Sequence, residues 1–293
     1  MYELQQVGKN TYVINSPTKV GLYVDQDEKV WLVDSGNDKD AAKKILKIIQ
    51  GNHWQLTTIV NTHSHADHIG GNQYLQEQTG CLIYAPSREC AFIEDPFYEP
   101  YFLFGGQPVP KLQNKFLMAK PSRVTRLTEA LLPEGFQIIP LAGHSLDMIG
   151  IITPDHVAFI ADALLGQAIL DKYHVGFLTN VRDHLLTLET LKTLQAKVFI
   201  PAHGDVWYSI DEPITYNLIK VMEVKAAIVV ICQSPMTFED ILQRLFQRYD
   251  LTMNLDQYVL VGSTLKAYLT YLVEEGHMQI DCEDNQLIWQ MKA

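Results

Sequence analysis

The sequence predicts an α/β fold across residues 1–210 and a smaller, mostly helical module across residues 211–293. Three observations carry that reading. The first 35 residues hold short β-branched and aromatic runs separated by turn residues. Between residues 58 and 203, four apolar runs each lead directly into a histidine or an aspartate, with helical stretches between them. Beyond residue 211 the pattern becomes three helices and a hairpin, and the only further histidine is His277.

Taken in order, Tyr12–Ile14, Val20–Val24 and Val30–Val33 read as strands. Residues 38–49 read as a helix, because Ala42, Ile45, Leu46 and Ile49 recur on one face while Lys43, Lys44 and Lys47 fall outside it. Residues 58–62 run into His63, residues 138–143 into His144, residues 157–161 into Asp162, and residues 198–202 into His203. Continuous apolar runs suit strands covered on both faces. Four such strand ends bearing ligand-type residues place the chemistry along one sheet edge. Helices are expected over residues 68–78 and 183–194. Residues 86–121, with six prolines and seven Phe or Tyr residues, read as an inserted aromatic lid. In the C-terminal module a helix spans residues 214–232. Thr237 then caps one leading into Ile241, Leu242 and Leu245, and another carries Val261, Leu265, Leu269 and Leu272 to Gly276. A hairpin around Glu283-Asp284-Asn285 follows, an order similar to a winged helix.

Composition narrows the function. Apolar residues make up 47% and charged residues 19%, the balance of a globular chain rather than a disordered one. There are 23 Lys or Arg against 34 Asp or Glu, a net charge of −11, which argues against nucleic acid as a partner. Residues 211–293 alone carry 6 Lys or Arg against 12 Asp or Glu, so the helix over residues 258–273, with Lys266 as its one cation, lacks the charge of a recognition helix. That module is expected to pack or to form an oligomer surface. The longest apolar run has seven residues, and residues 1–17 lack a basic segment leading into an apolar core. Cys81, Cys90, Cys232 and Cys282 form no close pair, which fits reduced, buried thiols. A cytoplasmic protein without a membrane span is expected.

The chemistry concentrates in His63-Ser64-His65-Ala66-Asp67-His68. Alternate residues of an extended loop point the same way, so His63 and His65 can reach one ion, while Asp67 and His68 turn toward a second. Imidazole and carboxylate donors suit borderline divalent ions, zinc first, with iron or manganese also compatible. Two such ions about 3.5–4 Å apart can share one water and acidify it to a pKa of about 7, giving a nucleophile at neutral pH.

These residues resemble the metallo-β-lactamase superfamily, and the metal motif is similar to that of glyoxalase II. The likeness covers residues 1–210 and rests on the His63–His68 segment, on Asp34 in Val33-Asp34-Ser35-Gly36, on His144, on Asp162 and on His203 in Pro201-Ala202-His203-Gly204. It implies an αββα sandwich with a dinuclear site at one sheet edge. By resemblance, His63, His65 and His144 would hold one metal, Asp67, His68 and His203 the other, and Asp162 would bridge them. Asp34 would orient the ligand loop through hydrogen bonds, and Asp67 would orient or return the proton of the attacking hydroxide.

The expected activity is hydrolysis of an ester, thioester or lactone of a small molecule. The alternatives on the same fold are a metal-dependent phosphodiesterase or ribonuclease, and an iron-dependent sulfur dioxygenase. His65 stands where the flavin-linked diiron branch places a glutamate, and the basic residues with which glyoxalase II takes glutathione have no counterpart in the C-terminal region. Tyr173 and His174 follow the Asp162 strand closely enough to be candidate substrate contacts, and a homo-oligomer is compatible with the chain.

Overall fold

A computed structural model describes residues 2–292; Met1 and Ala293, at the outer ends of the spans 1–210 and 211–293, lie outside the described residues. The N-terminal runs pair in chain order, with β1 (Glu3–Gln6), β2 (Thr11–Asn15), β3 (Val20–Val24) and β4 (Lys29–Val33) forming an antiparallel ladder. The Asp38 carboxylate accepts from the amides of Asp40 and Ala41 and so starts α1 (Lys39–Gly51), which buries Ala42, Ile45, Leu46 and Ile49, the face the spacing predicts. This helix returns the chain to β5 (Gln55–Val60), which lies parallel to β4.

The helix expected over residues 68–78 is two: α2 (Ala66–Ile69) and α3 (Asn72–Thr79). The break has a steric cause. At Gly70 a Cβ would lie 2.4 Å from the Asn37 carbonyl, and at Gly71 one would lie 2.2 Å from the Ser35 carbonyl. The chain bends here because it passes against the loop that carries Asp34. After β6 (Leu82–Ala85), residues 86–121 hold α4 (Glu89–Glu94), α5 (Tyr98–Phe104) and a short 3-10 turn, Pro110–Leu112. β7 (Thr125–Arg126) then completes a seven-stranded sheet whose last four strands run parallel.

The second sheet has the order β11-β10-β9-β8, built from β8 (Gln137–Pro140), β9 (Ile149–Ile152), β10 (Val157–Ala161) and β11 (Val198–Pro201). Between β10 and β11 lie α6 (Gln167–Tyr173) and α7 (Val181–Thr193). Val33 and Val60 of the first sheet meet Ile151, Phe159 and Ile200 of the second in one core. On the outer faces, Leu32 and Ile59 pack on Ile45 and Ile49 of α1, and Ile152 and Ile160 cluster with Leu188 and Leu191 of α7. The layers are therefore helix, sheet, sheet, helix. A strand buried on both faces must be apolar throughout, which is why β9, β10 and β11 read as unbroken runs.

The C-terminal region follows as α8 (Asp211–Ile231), α9 (Phe238–Arg248), α10 (Leu255–Glu274) and a hairpin of β12 (Met278–Glu283) and β13 (Gln286–Met291). Thr237 accepts from the amide of Asp240 and caps α9. Ile228, Leu245, Leu265 and Leu272 share a core that also takes Val175, Leu178 and Val181. The start of α8 belongs elsewhere: Ile214 packs in the outer core of the second sheet. Leu103, Leu112 and Leu117 of the 86–121 segment pack against Val259 of α10, so the insertion is anchored on the C-terminal region. Its Tyr98, Tyr101, Phe102, Phe104 and Phe116 stay exposed. Among the described residues no helix is long and apolar enough to cross a membrane. All four cysteines are free; Cys81 and Cys232 are buried as expected, whereas Cys90 is half-buried and Cys282 is exposed on β12.

Candidate metal centre

The candidate residues emerge where strands end and the backbone turns sharply. His63 and His65 leave the end of β5, and the first turn of α2 presents Asp67 and His68. Three other strand ends place a residue of positive φ beside the candidate: Gly143 (φ 123) before His144, Ala161 (φ 49) before Asp162, and Gly204 (φ 96) after His203. Asp34 itself has φ 63, a region aspartate tolerates better than most residues.

Gly143 is under the tightest constraint. A Cβ there would lie 2.4 Å from the backbone nitrogen of His184 at the start of α7. The Gly143 carbonyl accepts from the amides of Thr179 and Asn180 at 2.8 and 3.0 Å, which ties the His144 loop to that helix. Gly143→Ala is expected to destabilise the protein by about 3 kcal/mol or more, through strained φ and overpacking together. Thermal unfolding checks this, and an unchanged Tm would contradict the constraint.

The seven residues named from the sequence converge. His65 Nδ1 lies 2.9 Å from His63 Nε2 and 3.0 Å from His144 Nε2. His203 Nε2 lies 3.3 Å from Asp67 Oδ2, and His68 Nε2 lies 3.7 Å from the same oxygen. Asp162 sits between the two groups. Its Oδ2 is 2.8 Å from His68 Nε2, 3.6 Å from His63 Nε2 and 3.7 Å from His144 Nε2, and its Oδ1 is 3.5 Å from His203 Nε2. Three overlapping sets have donor atoms within 4.8 Å of one another: His63, His65 and His144; His63, His68 and Asp162; Asp67, His68 and His203.

The outward-facing ring atoms decide which nitrogens offer lone pairs. His144 Nδ1 lies 3.0 Å from the Phe177 carbonyl and His203 Nδ1 lies 2.9 Å from the Pro17 carbonyl, so each of those nitrogens carries the proton. His68 Nδ1 is 2.7 Å from Asp34 Oδ2. The Thr62 hydroxyl donates to that same oxygen at 2.8 Å, leaving its own lone pair for His63 Nδ1 at 3.1 Å. Asp34 Oδ1 also accepts from the Thr62 amide at 2.8 Å. The Nε2 atoms of His63, His68, His144 and His203 therefore point inward, and buried His68 Nε2 faces no protein donor, only the carboxylates of Asp162 and Asp67 at 2.8 and 3.7 Å. Ring nitrogens and carboxylate oxygens converging in this way fit a divalent cation.

Electrostatics divide the rings into two groups. Burial holds the rings of His65 and His144 down at about 4 and His63 well below its ordinary value, so all three are neutral near pH 7 and can ligate. Burial would also lower His68 and His203, but the carboxylates of Asp67, Asp34 and Asp162 raise His68 well above its usual value, and Asp67 and Asp162 raise His203, so a cation there would take the place of the inward protons of these two rings. The same carboxylates supply the negative charge that divalent ions would neutralise. Burial pushes Asp67 and Asp162 upward, yet the surrounding imidazoles win and keep both well below the usual carboxylate range.

Two buried acids join the site without having stood out in the sequence. Glu89, 1% exposed, accepts from the Ser64 amide at 3.0 Å and hydroxyl at 2.5 Å through one oxygen. Its other oxygen accepts from the Ser145 hydroxyl at 2.8 Å and the Asp147 amide at 2.9 Å. It thus fastens the loop between His63 and His65 to the loop after His144. Glu99 of α5 lies 3.7 Å from His65 Nε2, and burial, helped by the charge of Glu89, pushes its carboxyl up to about 8.

The centre opens into a cavity of about 540 Å³. Asp67, His65, His144, Asp162 and His203 form its polar part, while Leu117, Tyr173, Phe177, Leu260 and Val261 stand in its walls. Tyr173 is therefore where a substrate contact was expected. The structure does not bring His174 into this cavity; its ring stacks on Tyr249 at 5.1 Å and lines a narrower space beneath Phe177.

Comparison with known proteins places this arrangement. The Metallo-beta-lactamase superfamily model matches residues 14–203. The chain belongs to the metallo-β-lactamase superfamily. It is 27% identical over 155 residues to a hydroxyacylglutathione hydrolase of Bradyrhizobium sp., covering 53% of this chain and 51% of that protein. It is 26% identical over 188 residues to the hydroxyacylglutathione hydrolase of Haemophilus ducreyi, covering 61% of this chain and 66% of that one. The matches thus span from half to just under two thirds of these relatives. Among solved structures, a metallo-β-lactamase family protein of Thermus thermophilus superposes with a TM-score of 0.74 at 20% identity, over 97% of this chain and 99% of that one. A β-lactamase domain protein of Burkholderia ambifaria gives 0.71 at 17%, over 99% and 94%. The fold is thus shared through the C-terminal region.

Proposed function

We propose that this protein is a metal-dependent hydrolase that cleaves the acyl C–O or C–S bond of a small-molecule ester, thioester or lactone. The observation that carries the reading is the convergence of seven imidazole and carboxylate side chains, their ring nitrogens and oxygens aimed inward, at the mouth of a partly apolar cavity. His63, His65 and His144 would hold one divalent ion, and Asp67, His68 and His203 a second, with Asp162 shared between them. All donors are nitrogen or oxygen, so zinc is the first expectation, with iron and manganese compatible. When bound, such ions polarise a carbonyl oxygen and acidify a water near neutral pH.

The chain supplies the rest. Asp67 lines the cavity with its side chain 38% exposed, and the Thr18 hydroxyl donates to its Oδ2 at 2.8 Å. That fixed carboxylate can take the proton of the attacking water and return it to the leaving group. Asp34 and Glu89 hold the histidine loops in place, so little reorganisation is needed during reaction. The apolar walls limit water around the scissile bond. The hydroxyacylglutathione hydrolases among the relatives support a hydrolase, though not that substrate.

The test is a panel of acyl esters, thioesters and lactones given to metal-loaded protein, with His65→Ala as control. Hydrolysis of at least one class well above the control is expected. No hydrolysis above it for any class would remove the carbonyl reading.

A further inference from the structure

The cavity walls carry more information than the centre does, because they face the part of the substrate that does not react. Phe177 starts the wall, with its ring edge-on to His65 and to His144 at centroid distances of 5.4 and 5.5 Å. It belongs to one apolar cluster with Leu117 of the 86–121 insertion and Leu260 of α10. Leu260, Val261 and Thr264 present one face of α10 to the cavity, Thr264 lying four and three residues beyond the other two. Thr264 offers this face little polarity, since its buried hydroxyl accepts from the Leu178 amide at 3.1 Å. An apolar surface therefore runs without a break from the candidate ligand rings to the C-terminal helix.

The charged groups in the wall are already matched within the protein. Among the described residues lining the cavity, Lys115 is the one lysine or arginine, and its ammonium lies 3.4 Å from Asp38. Asp256 accepts from the Asn114 side-chain amide at 3.3 Å. A peptide-like substituent with two carboxylates would meet the Asp256 carboxylate and would compete with Asp38 for Lys115. A neutral hydrocarbon substituent would remove Phe177, Leu117 and Leu260 from water at no electrostatic cost.

We infer that the site takes substrates whose acyl or aryl substituent is neutral and apolar, of medium length, laid along Phe177, Leu117 and Leu260. This rests on the carbonyl-hydrolase reading for its reaction, but the preference of the wall can be measured without turnover. It also sets the expected preference apart from that of a glutathione thioester hydrolase, since Lys115, paired with Asp38, is the one lysine or arginine among the described lining residues that could meet that tripeptide's carboxylates.

Two measurements test it. In the first, metal-loaded protein is given a thioester series from acetyl to decanoyl on one uncharged leaving group, together with a hydroxyacylglutathione. An increase in kcat/KM of about tenfold or more from acetyl to octanoyl is expected, because added methylenes in an apolar pocket give about 10–200-fold discrimination. In the second, calorimetry compares the binding of acetate and octanoate to the metal-loaded protein. Octanoate is expected to bind at least about tenfold more tightly, and Leu260→Asp to erase that difference while Leu260→Met preserves it. Equal rates along the series, or a preference for the glutathione thioester, would overturn this inference and leave the hydrolase reading standing. If no thioester is hydrolysed, the ester and lactone panel decides the hydrolase reading, and the calorimetry alone decides the wall: discrimination supports it, and equal binding overturns it.

Discussion

Asp162→Ala is expected to reduce hydrolysis by at least about a thousandfold. Its carboxylate lies within 3.7 Å of ring nitrogens from four histidines, more than any other carboxylate among the candidate ligands. Losing it removes the group shared by both halves of the centre. The change should appear in kcat rather than in KM, because Asp162 is almost wholly buried behind the imidazoles and contributes little surface to the substrate. Steady-state kinetics on the best substrate of the panel check this. A variant retaining a tenth or more of the activity would show that the two halves act independently, and the shared role would be lost.

Glu89→Ala is expected to cost about 3 kcal/mol or more of stability. The Ser64 and Asp147 amides would lose their shared acceptor, each unsatisfied buried group costing about 1–3 kcal/mol, and the truncation would add a small cavity. For a chain of this size that corresponds to a fall in Tm of roughly 6–12 °C. Affinity for metal should drop as well, by about 10–100-fold, because Glu89 holds the His63–His65 loop against the His144 loop. Chelator competition separates the two effects. A lowered Tm with unchanged metal affinity would make Glu89 a packing residue only.

The centre was legible in the sequence for a physical reason. A strand buried on both faces has to be apolar, so a histidine or aspartate at its end stands out against the run before it. His63, His144, Asp162 and His203 each announce themselves in this way. His65, Asp67 and His68 are legible through their spacing on one short loop and helix start. Glu89, Glu99, Thr18 and Phe177 carry no such mark. They reach the centre through tertiary packing of the 86–121 insertion, the β2–β3 turn and the loop before α7, and no periodicity links them to it. The break at Gly70–Gly71 was hidden for the same reason, since the clash that demands it comes from Ser35 and Asn37, more than thirty residues away. The C-terminal helices could be read from their spacing, but the docking of Leu103, Leu112 and Leu117 on α10, which makes that region part of the cavity, could not.

Elemental analysis of the purified chain tests the central claim most directly. The arrangement of His63, His65 and His144 beside Asp67, His68 and His203 predicts two divalent ions per chain, with one or both lost when Asp162 is replaced. A chain that takes up no more metal than its Asp162→Ala variant, under conditions where both remain folded, would contradict it.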